Sequence, residues 1–497
     1  MRSAFLINYS TLLLVAFGTQ CSRSVERKPS IAVAVSRKGL QFFSSIGHKI
    51  VTHELPKIVI PSISLPIDGG PGEGEVFVKQ LKIKKFESPV FQFHLSPPDA
   101  INWKSDGGGI KLSGHWNATY TWLTTFYLKG WVEVTVSEIR SNVTITAFGK
   151  DGHPQLQVDS CGVDILNLYL SLGGGVIQWI INLFKSDLSY AVKNAINQQL
   201  CNALETVILD QANDALRTIP KHVYISSMVY LDYELEAKPI QVTNTHVIGQ
   251  SYIDVMLGNQ TCQIPTRPLQ IGKIDDNFMS NIWITETVPN CLLESAHKSK
   301  YLHFVLDKSV YAKLDTFLST NCSWYEICMG KFFPELAKQY PNRHIQMNFY
   351  SAKAPSIVLS SQKANVVSDF FADWQIQPEE GKVDINETLA RIDMKLTATV
   401  EPVLYNQRLC GKINSTQINF SEIYSKIGEI SQSFLDTMNL VLNPVIRVAA
   451  DTTLQLGIPI PLVENVSITN QTELTVEDGA VRCNADFLYV NSTDLFN

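Results

Sequence analysis

One amphipathic segment constrains the fold of this chain more than any other feature. Between Cys161 and Cys201, a run that starts with three glycines carries apolar residues in steps of three and four, which is typical of one face of a long helix. Polar residues fill the opposite face, so the segment does not match a membrane span, which needs about 20 consecutive apolar residues. The pattern continues to Pro220 and predicts a helix of about forty residues, ~60 Å long. Such a helix needs an equally long apolar partner, such as a curved sheet, and the two cysteines could pin helix to sheet.

The segments around this helix favour sheets. Residues 58–150 alternate apolar and polar side chains between turns rich in Gly, Pro, Asp and Asn, which predicts an antiparallel meander with one buried face. Residues 223–258 are also strand-like and would form a connecting sheet. Further strands are predicted between residues 345 and 420, and a second long helix from Ser421 toward Gln455, kinked at Pro444. The repeated order indicates two halves of similar architecture.

The beginning of the chain and its cysteines predict secretion. The chain has 497 residues, enough for two or three domains, and residues 1–21 have the pattern of a secretory signal peptide. Cleavage after Cys21 leaves eight cysteines, an even number suited to disulfides, whereas cleavage after Gly18 leaves nine. We therefore expect a soluble, secreted, extracellular protein.

Glycosylation sequons support the same compartment. After the predicted signal peptide, ten Asn-x-Ser/Thr motifs remain, which is more than chance supplies in a chain of this length. They begin at Asn117, Asn142, Asn259, Asn321, Asn386, Asn414, Asn419, Asn465, Asn470 and Asn491.

Charge excludes some partners and leaves others open. The formal net charge is −6, which argues against nucleic acid as the main partner. Residues 23–85 are locally basic, with Lys79, Lys82, Lys84 and Lys85 in one cluster. This end of the chain either faces an anionic surface or is a solvated edge strand.

Catalytic and metal-binding motifs are missing from the sequence. His53-Glu-Leu-Pro-Lys57 begins like a zinc-protease helix, but Lys57 replaces the second histidine and Pro56 breaks the helix. The sequence has no Gly-x-Ser-x-Gly, no Cys-x-x-Cys and no histidines at metal-ligand spacing. We therefore expect neither an enzyme nor a bound metal or cofactor.

Several stretches resemble the family of lipid-transfer and lipopolysaccharide-binding proteins. That family includes bactericidal/permeability-increasing protein, lipopolysaccharide-binding protein, phospholipid transfer protein and cholesteryl ester transfer protein. The similar stretches, in matching order, are Ser36-Arg-Lys-Gly-Leu, Ile110-Lys-Leu-Ser-Gly-His-Trp, Gly175-Val-Ile-Gln-Trp-Ile-Ile-Asn-Leu-Phe, Gln198-Gln-Leu-Cys201, Phe332-Phe-Pro-Glu-Leu-Ala-Lys and Gly457-Ile-Pro-Ile-Pro.

The resemblance implies a fold and a disulfide. The fold is α+β, an elongated boomerang of two antiparallel barrels, each wrapped on a long helix and joined by a central sheet. The implied parts are an N-terminal barrel at residues 22–222, a central sheet or linker at 223–260 and a C-terminal barrel at 261–497, whose last strands return to the central sheet. The disulfide shared by the family would be Cys161–Cys201. The six later cysteines allow fifteen pairings, of which we expect Cys410–Cys483 across adjacent strands and Cys322–Cys328 or Cys262–Cys291 locally.

The resemblance also implies a function, the binding or transfer of phospholipid or fatty acyl lipids in two apolar pockets. A closed core without ligand is the alternative for each pocket. The expected wall residues are Val176, Ile177, Ile180, Phe184, Leu188 and Val192 in the first half, and Ile427, Ile430, Phe434, Met438 and Val441 in the second.

Two other functions stay open at this point. In the endotoxin-binding members of the family, the segment that matches residues 111–122 is strongly basic. In this chain the same segment has one Lys and a sequon at Asn117. The second hypothesis, binding of lipopolysaccharide or another anionic membrane surface in innate defence, rests instead on the resemblance and on the basic residues 23–85. The third is a glycosylated structural or receptor-binding protein with vestigial pockets.

Overall fold

Three antiparallel sheets and a few helices make up the described part of the protein. The computed structural model describes residues 28–490 apart from 175–176, 236, 238–239, 263, 265–266 and 382–384, so the predicted signal peptide lies outside the described residues. Two of the sheets are curled half-barrels, and the third joins them. The fold is α+β, as predicted, and strands dominate it.

The N-terminal half begins with a strand of the central sheet and a helix. Strand β1 (Ile31–Ser36) leads into α1 (Arg37–Glu54), whose first turn is capped because the Ser36 hydroxyl accepts a hydrogen bond from the Gly39 amide at 3.3 Å. A 3₁₀ turn follows at Leu55–Lys57. The half-barrel sheet then comprises β2 (Val59–Ile60), β3 (Ile63–Ile67), β4 (Glu73–Glu87), β5 (Val90–Ser96), β6 (Ala100–Asp106), β7 (Gly109–Thr121), β8 (Thr125–Lys150) and β9 (His153–Gly173).

The order of this sheet is β2-β4-β7-β8-β6-β5, with β3 paired to β4 and β9 paired to β8. Alternation along β8 turns Val132, Val134 and Val136 inward. These side chains face the long helix predicted from the sequence, and together they form the N-terminal core.

The long helix consists of three consecutive segments, α2 (Gln178–Thr206), a π-helical stretch (Val207–Ala212) and α3 (Asn213–Arg217). Its length agrees with the prediction, but its beginning does not. Residues up to Gly173 belong to β9, and Gln178 is the first described helical residue. Cys161 therefore lies within a strand, well before the helix, because β9 pairs with β8 along its whole length.

The central sheet draws strands from both ends of the chain and from its middle. Its order is β10-β11-β13-β1-β15-β24-β23, with the short strands β12 and β14 paired to β13. The new members are β10 (His222–Tyr224), β11 (Val229–Leu235), β12 (Gln241–Val242), β13 (His246–Leu257), β14 (Gln260–Thr261) and β15 (Ser280–Thr285), and the last two are β23 (Val466–Glu477) and β24 (Ala480–Tyr489). Strand β1 lies between β13 and β15, in the middle of this sheet.

The C-terminal half repeats the pattern. Helix α4 (Thr287–Lys298) follows β15 as α1 follows β1, and α5 (Ala312–Phe317), α6 (Met329–Phe332) and α7 (Pro334–Gln339) are short. The second half-barrel sheet has the order β16-β17-β19-β20-β21-β22, with β18 paired to β19. Its strands are β16 (His303–Leu306), β17 (Ile345–Ser351), β18 (Ser356–Ser360), β19 (Lys363–Ile376), β20 (Ala390–Tyr405), β21 (Arg408–Ser425) and β22 (Ile458–Pro459).

The second long helix is shorter than predicted. Helix α8 spans Gln432–Leu454, whereas the prediction began at Ser421, because β21 continues to Ser425 and pairs with β20 over that stretch. The Ser431 hydroxyl caps the helix by accepting a hydrogen bond from the Phe434 amide at 3.3 Å. Pro444 lies inside the helix.

Three disulfides connect six of the eight described cysteines. The pair Cys161–Cys201 joins β9 to α2, as the resemblance implies, and both local pairs, Cys262–Cys291 and Cys322–Cys328, are formed. The expected Cys410–Cys483 bond is wrong, because both thiols are free and buried. Cys410 lies on β21 of the second half-barrel and Cys483 on β24 of the central sheet, so they are not on adjacent strands.

Candidate functional site: an apolar cavity beside the central sheet

An apolar cavity lies between the central sheet and the second half-barrel. Its volume is about 320 Å³, within the range of small-molecule sites. The central sheet contributes Val229, Ile284 and Val481 to one wall. The opposite wall comes from the half-barrel strands and from the end of α8, and it comprises Ile357, Leu359, Ala364, Val366, Val400, Pro402, Leu409, Cys410, Gly411, Thr453, Leu454, Leu456, Gly457 and Ile458.

Helix α4 closes a third side with Pro289, Leu292, Leu293 and Ala296. This helix is not among the predicted elements, although Pro289 near its start and the spacing of the apolar residues after it are helix signals. Together with the other walls it makes a lining in which the described residues include no Lys, Arg, His, Asp or Glu. The cavity can hold an acyl chain, which needs only apolar contact, but it offers no charged group for a reaction or a metal.

Polar side chains of α4 and of the residue before it hold the half-barrel in place at the cavity. The Asn290 side chain donates to the Ile357 carbonyl at 2.9 Å and accepts from the Ile357 amide at 2.7 Å. Just before the helix, the buried Glu286 carboxylate accepts from the Leu359 amide at 2.8 Å and pairs with Arg267 at 3.3 Å. These contacts satisfy backbone groups of β18, which would otherwise be an open edge beside the cavity.

The turn after α8 forms another part of the wall. Gly457 has φ +56°, and a Cβ atom placed on it would lie 2.5 Å from the Cys410 sulfur, so glycine is required twice over. Arg408 fixes the turn by donating to the Leu456 carbonyl at 2.6 Å and to the Gly457 carbonyl at 3.1 Å. On β11, Tyr233 donates to the Pro459 carbonyl at 2.6 Å, and burial raises the pKa of this phenol, so it stays a donor.

Hydroxyl groups mark one side of the lining. Tyr301 and Ser226 both line the cavity, and Tyr301 is half exposed. Hydrogen bonds from the hydroxyls of Ser226 and Ser227 lower the pKa of Tyr301. These groups lie between the linker into β11 and the turn after α4, where the lining meets solvent.

The residues predicted to form pocket walls lie elsewhere in the two cores. Ile180, Phe184, Leu188 and Val192 are fully buried on α2, Ile177 is half-buried at its start, and Val176 lies outside the described residues. In the second half, Phe434 and Met438 are buried on α8, Ile427 and Ile430 are buried just before it, and Val441 is half-buried. None of the described ten lines this cavity.

Aromatic rings surround the predicted wall residues. Phe184 packs against Trp116 at 5.8 Å, and Phe434 has Phe332, Phe333 and Trp374 within 5.5 Å between ring centroids. Acyl chains along these faces of the helices therefore stay a prediction. The described cavity lies near the other end of α8, at Thr453 and Leu454.

Two family models match this chain. The N-terminal domain of the LBP / BPI / CETP family matches residues 39–212, and its C-terminal domain matches residues 224–489. The chain belongs to the LBP/BPI/CETP family. Similar family members include rat bactericidal permeability-increasing protein, 22% identical over 93% of this chain and 94% of that protein, and human lipopolysaccharide-binding protein, 20% identical over 97% of both. Human phospholipid transfer protein is 19% identical over 56% of this chain and 55% of its own length.

The fold agrees with this membership. A crystal structure of lipopolysaccharide binding protein superposes with a TM-score of 0.60 at 18% identity, covering 94% of this chain and all of the other. The family binds or transfers lipids, and the described lining of the cavity beside α4 has no charged residue. Among the described residues, no helix is long and apolar enough to cross a bilayer.

Proposed function

We propose that the protein is a secreted glycoprotein that binds and carries phospholipid-like acyl lipids and is not an enzyme. The observation that carries this proposal is the cavity beside α4, whose described lining has no charged residue. Each CH₂ group moved from water into such a site gains ~0.8 kcal/mol. Because apolar contact alone supplies this energy, we expect broad selectivity for the acyl chain.

Secretion is supported by features that belong to an oxidising compartment. Three disulfides are formed. Of the sequon asparagines in the described part of the chain, Asn465 is half-buried and the others are exposed; Asn491 lies outside it. Exposed sequons can accept glycans without unfolding the sheets.

The decisive experiment is native mass spectrometry and lipid extraction of protein secreted from a eukaryotic host. We expect copurified phospholipid or fatty acid in the wild type. Ala296→Trp fills the cavity from α4 and should reduce bound lipid, whereas Ala312→Trp on the exposed start of α5 should not. Folded wild-type protein without any lipid would refute the proposal.

A second candidate function, binding of lipopolysaccharide or another anionic membrane surface, is supported by a strip of lysines on the first half-barrel. Lys79, Lys82, Lys84 and Lys85 are all exposed on β4 because two register irregularities interrupt the alternation of that strand. Lys85 lies opposite Lys111 of β7, and like charges in facing positions destabilise a sheet. Glu87 pairs with Lys85 at 2.5 Å and offsets part of that repulsion, and an anionic surface would offset the charges of the other lysines.

Salt dependence separates the two candidates. Each lysine near an anionic surface contributes about 1 kcal/mol, which salt screens. Binding to lipopolysaccharide vesicles should therefore weaken as ionic strength rises and should exceed binding to phosphatidylcholine vesicles. Equal binding to both vesicles would eliminate this candidate and leave the carrier.

A further inference from the structure

A groove on the first half-barrel differs from the cavity beside α4 because its lining carries basic residues. Strand β5 is the edge of its sheet, its one partner among the described strands is β6, and α1 packs along it. The Ser44 hydroxyl of α1 donates to the Phe91 carbonyl of β5 at 3.1 Å and fixes the two elements together. Between them lies a groove with a volume of about 680 Å³.

The groove has an apolar floor and a basic rim. Leu40, Phe91, Phe93 and Leu95 provide its apolar part, and all four are buried or half-buried. The ionisable residues that line it are Arg37, His48, Lys49 and His94, and no Asp or Glu is among the described lining residues. An amphiphile with an anionic head matches both parts.

A neighbouring cavity extends the basic region. It shares Val90, Gln92 and His94 with the groove and adds Lys104 and Arg140. The carboxylate in its lining, Asp106, pairs with Arg140 at 3.0 Å, so one cation remains in excess. This excess lies on a chain whose net charge is −6.

The cations of this region are available to a ligand. Lys49 and Lys104 are exposed and form no ion pair within the described residues. Arg37 donates one hydrogen bond to the Asn244 carbonyl at 3.1 Å, which leaves other guanidinium donors free, and His48 lies 3.3 Å from the Ser88 hydroxyl. Lysine and arginine side chains often bind phosphate groups in proteins, because their hydrogen bonds to phosphate are charge-assisted.

We infer that the α1–β5 groove binds a phosphate-bearing acyl lipid, with the phosphate at the basic rim and the first part of the chain on the apolar floor. This site is separate from the uncharged cavity beside α4 and does not depend on the function proposed for it. The two sites would then differ in the headgroup that they accept.

The test uses a photoactivatable lysophosphatidic acid on the whole secreted protein, with and without enzymatic trimming of glycans, because Asn142 lines the neighbouring cavity. Cross-linked peptides should map to residues 37–49 and 90–95. Lys49→Gln with Lys104→Gln should weaken binding about three- to tenfold, since each exposed charge contact contributes little and salt screens it.

Controls distinguish this site from general charge and from free phosphate. Lys363→Gln with Lys412→Gln makes the same change in net charge at exposed positions of the other half and should leave binding unchanged. Inorganic phosphate should compete only weakly, because it cannot use the floor. Equal loss in both double variants, cross-links confined to the α4 cavity, or equally strong binding of inorganic phosphate would each overturn the inference.

Discussion

At the scale of single residues, the shape of the cavity beside α4 depends on a few positions that tolerate only one amino acid. Gly457 allows the chain to turn directly after α8 while Cys410 and Leu409 lie against the same turn. Arg408 and Tyr233 then tie that turn to β21 and to the central sheet. A change at these positions alters the shape of the cavity without touching its charge.

We expect Gly457→Ala to lower the free energy of unfolding by more than Gly479→Ala. Both glycines have positive φ, +56° and +76°, so both substitutions cost about 1–2 kcal/mol of backbone strain. Only at Gly457 does the new methyl group also meet a neighbour, whereas nothing lies within 4 Å of it at Gly479. Urea unfolding of the two variants measures the difference, and equal losses would show that the contact with Cys410 is unimportant.

The two free thiols should resist alkylation in the folded protein. Burial raises the pKa of Cys483 to about 11 and raises that of Cys410, so at pH 8 both are protonated and unreactive. As the pH rises toward 11 the thiolate of Cys483 forms, but its burial still limits access. Iodoacetamide labelling followed by mass spectrometry should modify both only after denaturation. Any slow labelling of native Cys410, which lines the cavity, should decrease further when lipid is bound, whereas that of Cys483 should not change. Rapid labelling of either thiol in the native protein would contradict the prediction.

At the scale of elements, each long helix is held to a sheet by a different device. Helix α2 is cross-linked to β9 by Cys161–Cys201, which closes a loop across 40 positions of sequence. Helix α8 has no such bond among the described residues, and its contacts with β21 include Asn439 donating to the Ile418 carbonyl at 2.9 Å. The position of α2 should therefore depend more on oxidation than that of α8, whereas α4 carries Cys291 and is itself tied by the Cys262–Cys291 bond.

Replacing Cys161 and Cys201 by Ala should lower the free energy of unfolding by about 2–5 kcal/mol, because the unfolded chain regains the freedom that the bond removed. The pair Cys322–Cys328 spans only 6 positions, so its removal should cost less. Thermal unfolding of the two double variants tests the order. Lipid in the cavity beside α4 should persist in the first variant, and its loss would show that the two halves are coupled.

At the scale of the whole molecule, the central sheet makes the two halves depend on each other. Strand β1 comes from the start of the chain but pairs on one side with β13 and on the other with β15. Its Ile31 and Val33 pack in the same core as Ile284 and Val481, two residues of the cavity wall. Without the N-terminal half, the central sheet of the C-terminal half would therefore lack β1 between β13 and β15.

We expect residues 224–490 expressed alone to give little secreted monomer, because β13 and β15 would each present an unpaired edge. Adding β1 and α1 in trans, as a segment of residues 28–57, should raise the yield of monomer. Size-exclusion chromatography of the two preparations measures the effect. A stable monomer from the C-terminal half alone would show that β13 and β15 can pair directly.

The sequence by itself determined the helices and strands whose periodic pattern of apolar residues extends over many positions. The amphipathic period over some forty residues, the alternation in β8 and the resemblance to one family led to both half-barrels, the central sheet and the disulfide Cys161–Cys201. These features depend on neighbours along the chain, which a sequence displays directly. The sequons are likewise local motifs that the sequence displays directly, and most of their asparagines are exposed.

Only the tertiary structure decided where the empty space lies. Periodicity identifies Phe434 and Ile180 as apolar and inward, but it cannot distinguish a packed core from a cavity, since both need apolar side chains. The cavity beside α4 is assembled from segments as distant as Val229 and Val481, and the fate of Cys410 and Cys483 was set by the sheets to which their strands belong. The α1–β5 groove likewise combines Arg37 and Lys49 with His94 across an edge that no local pattern reveals.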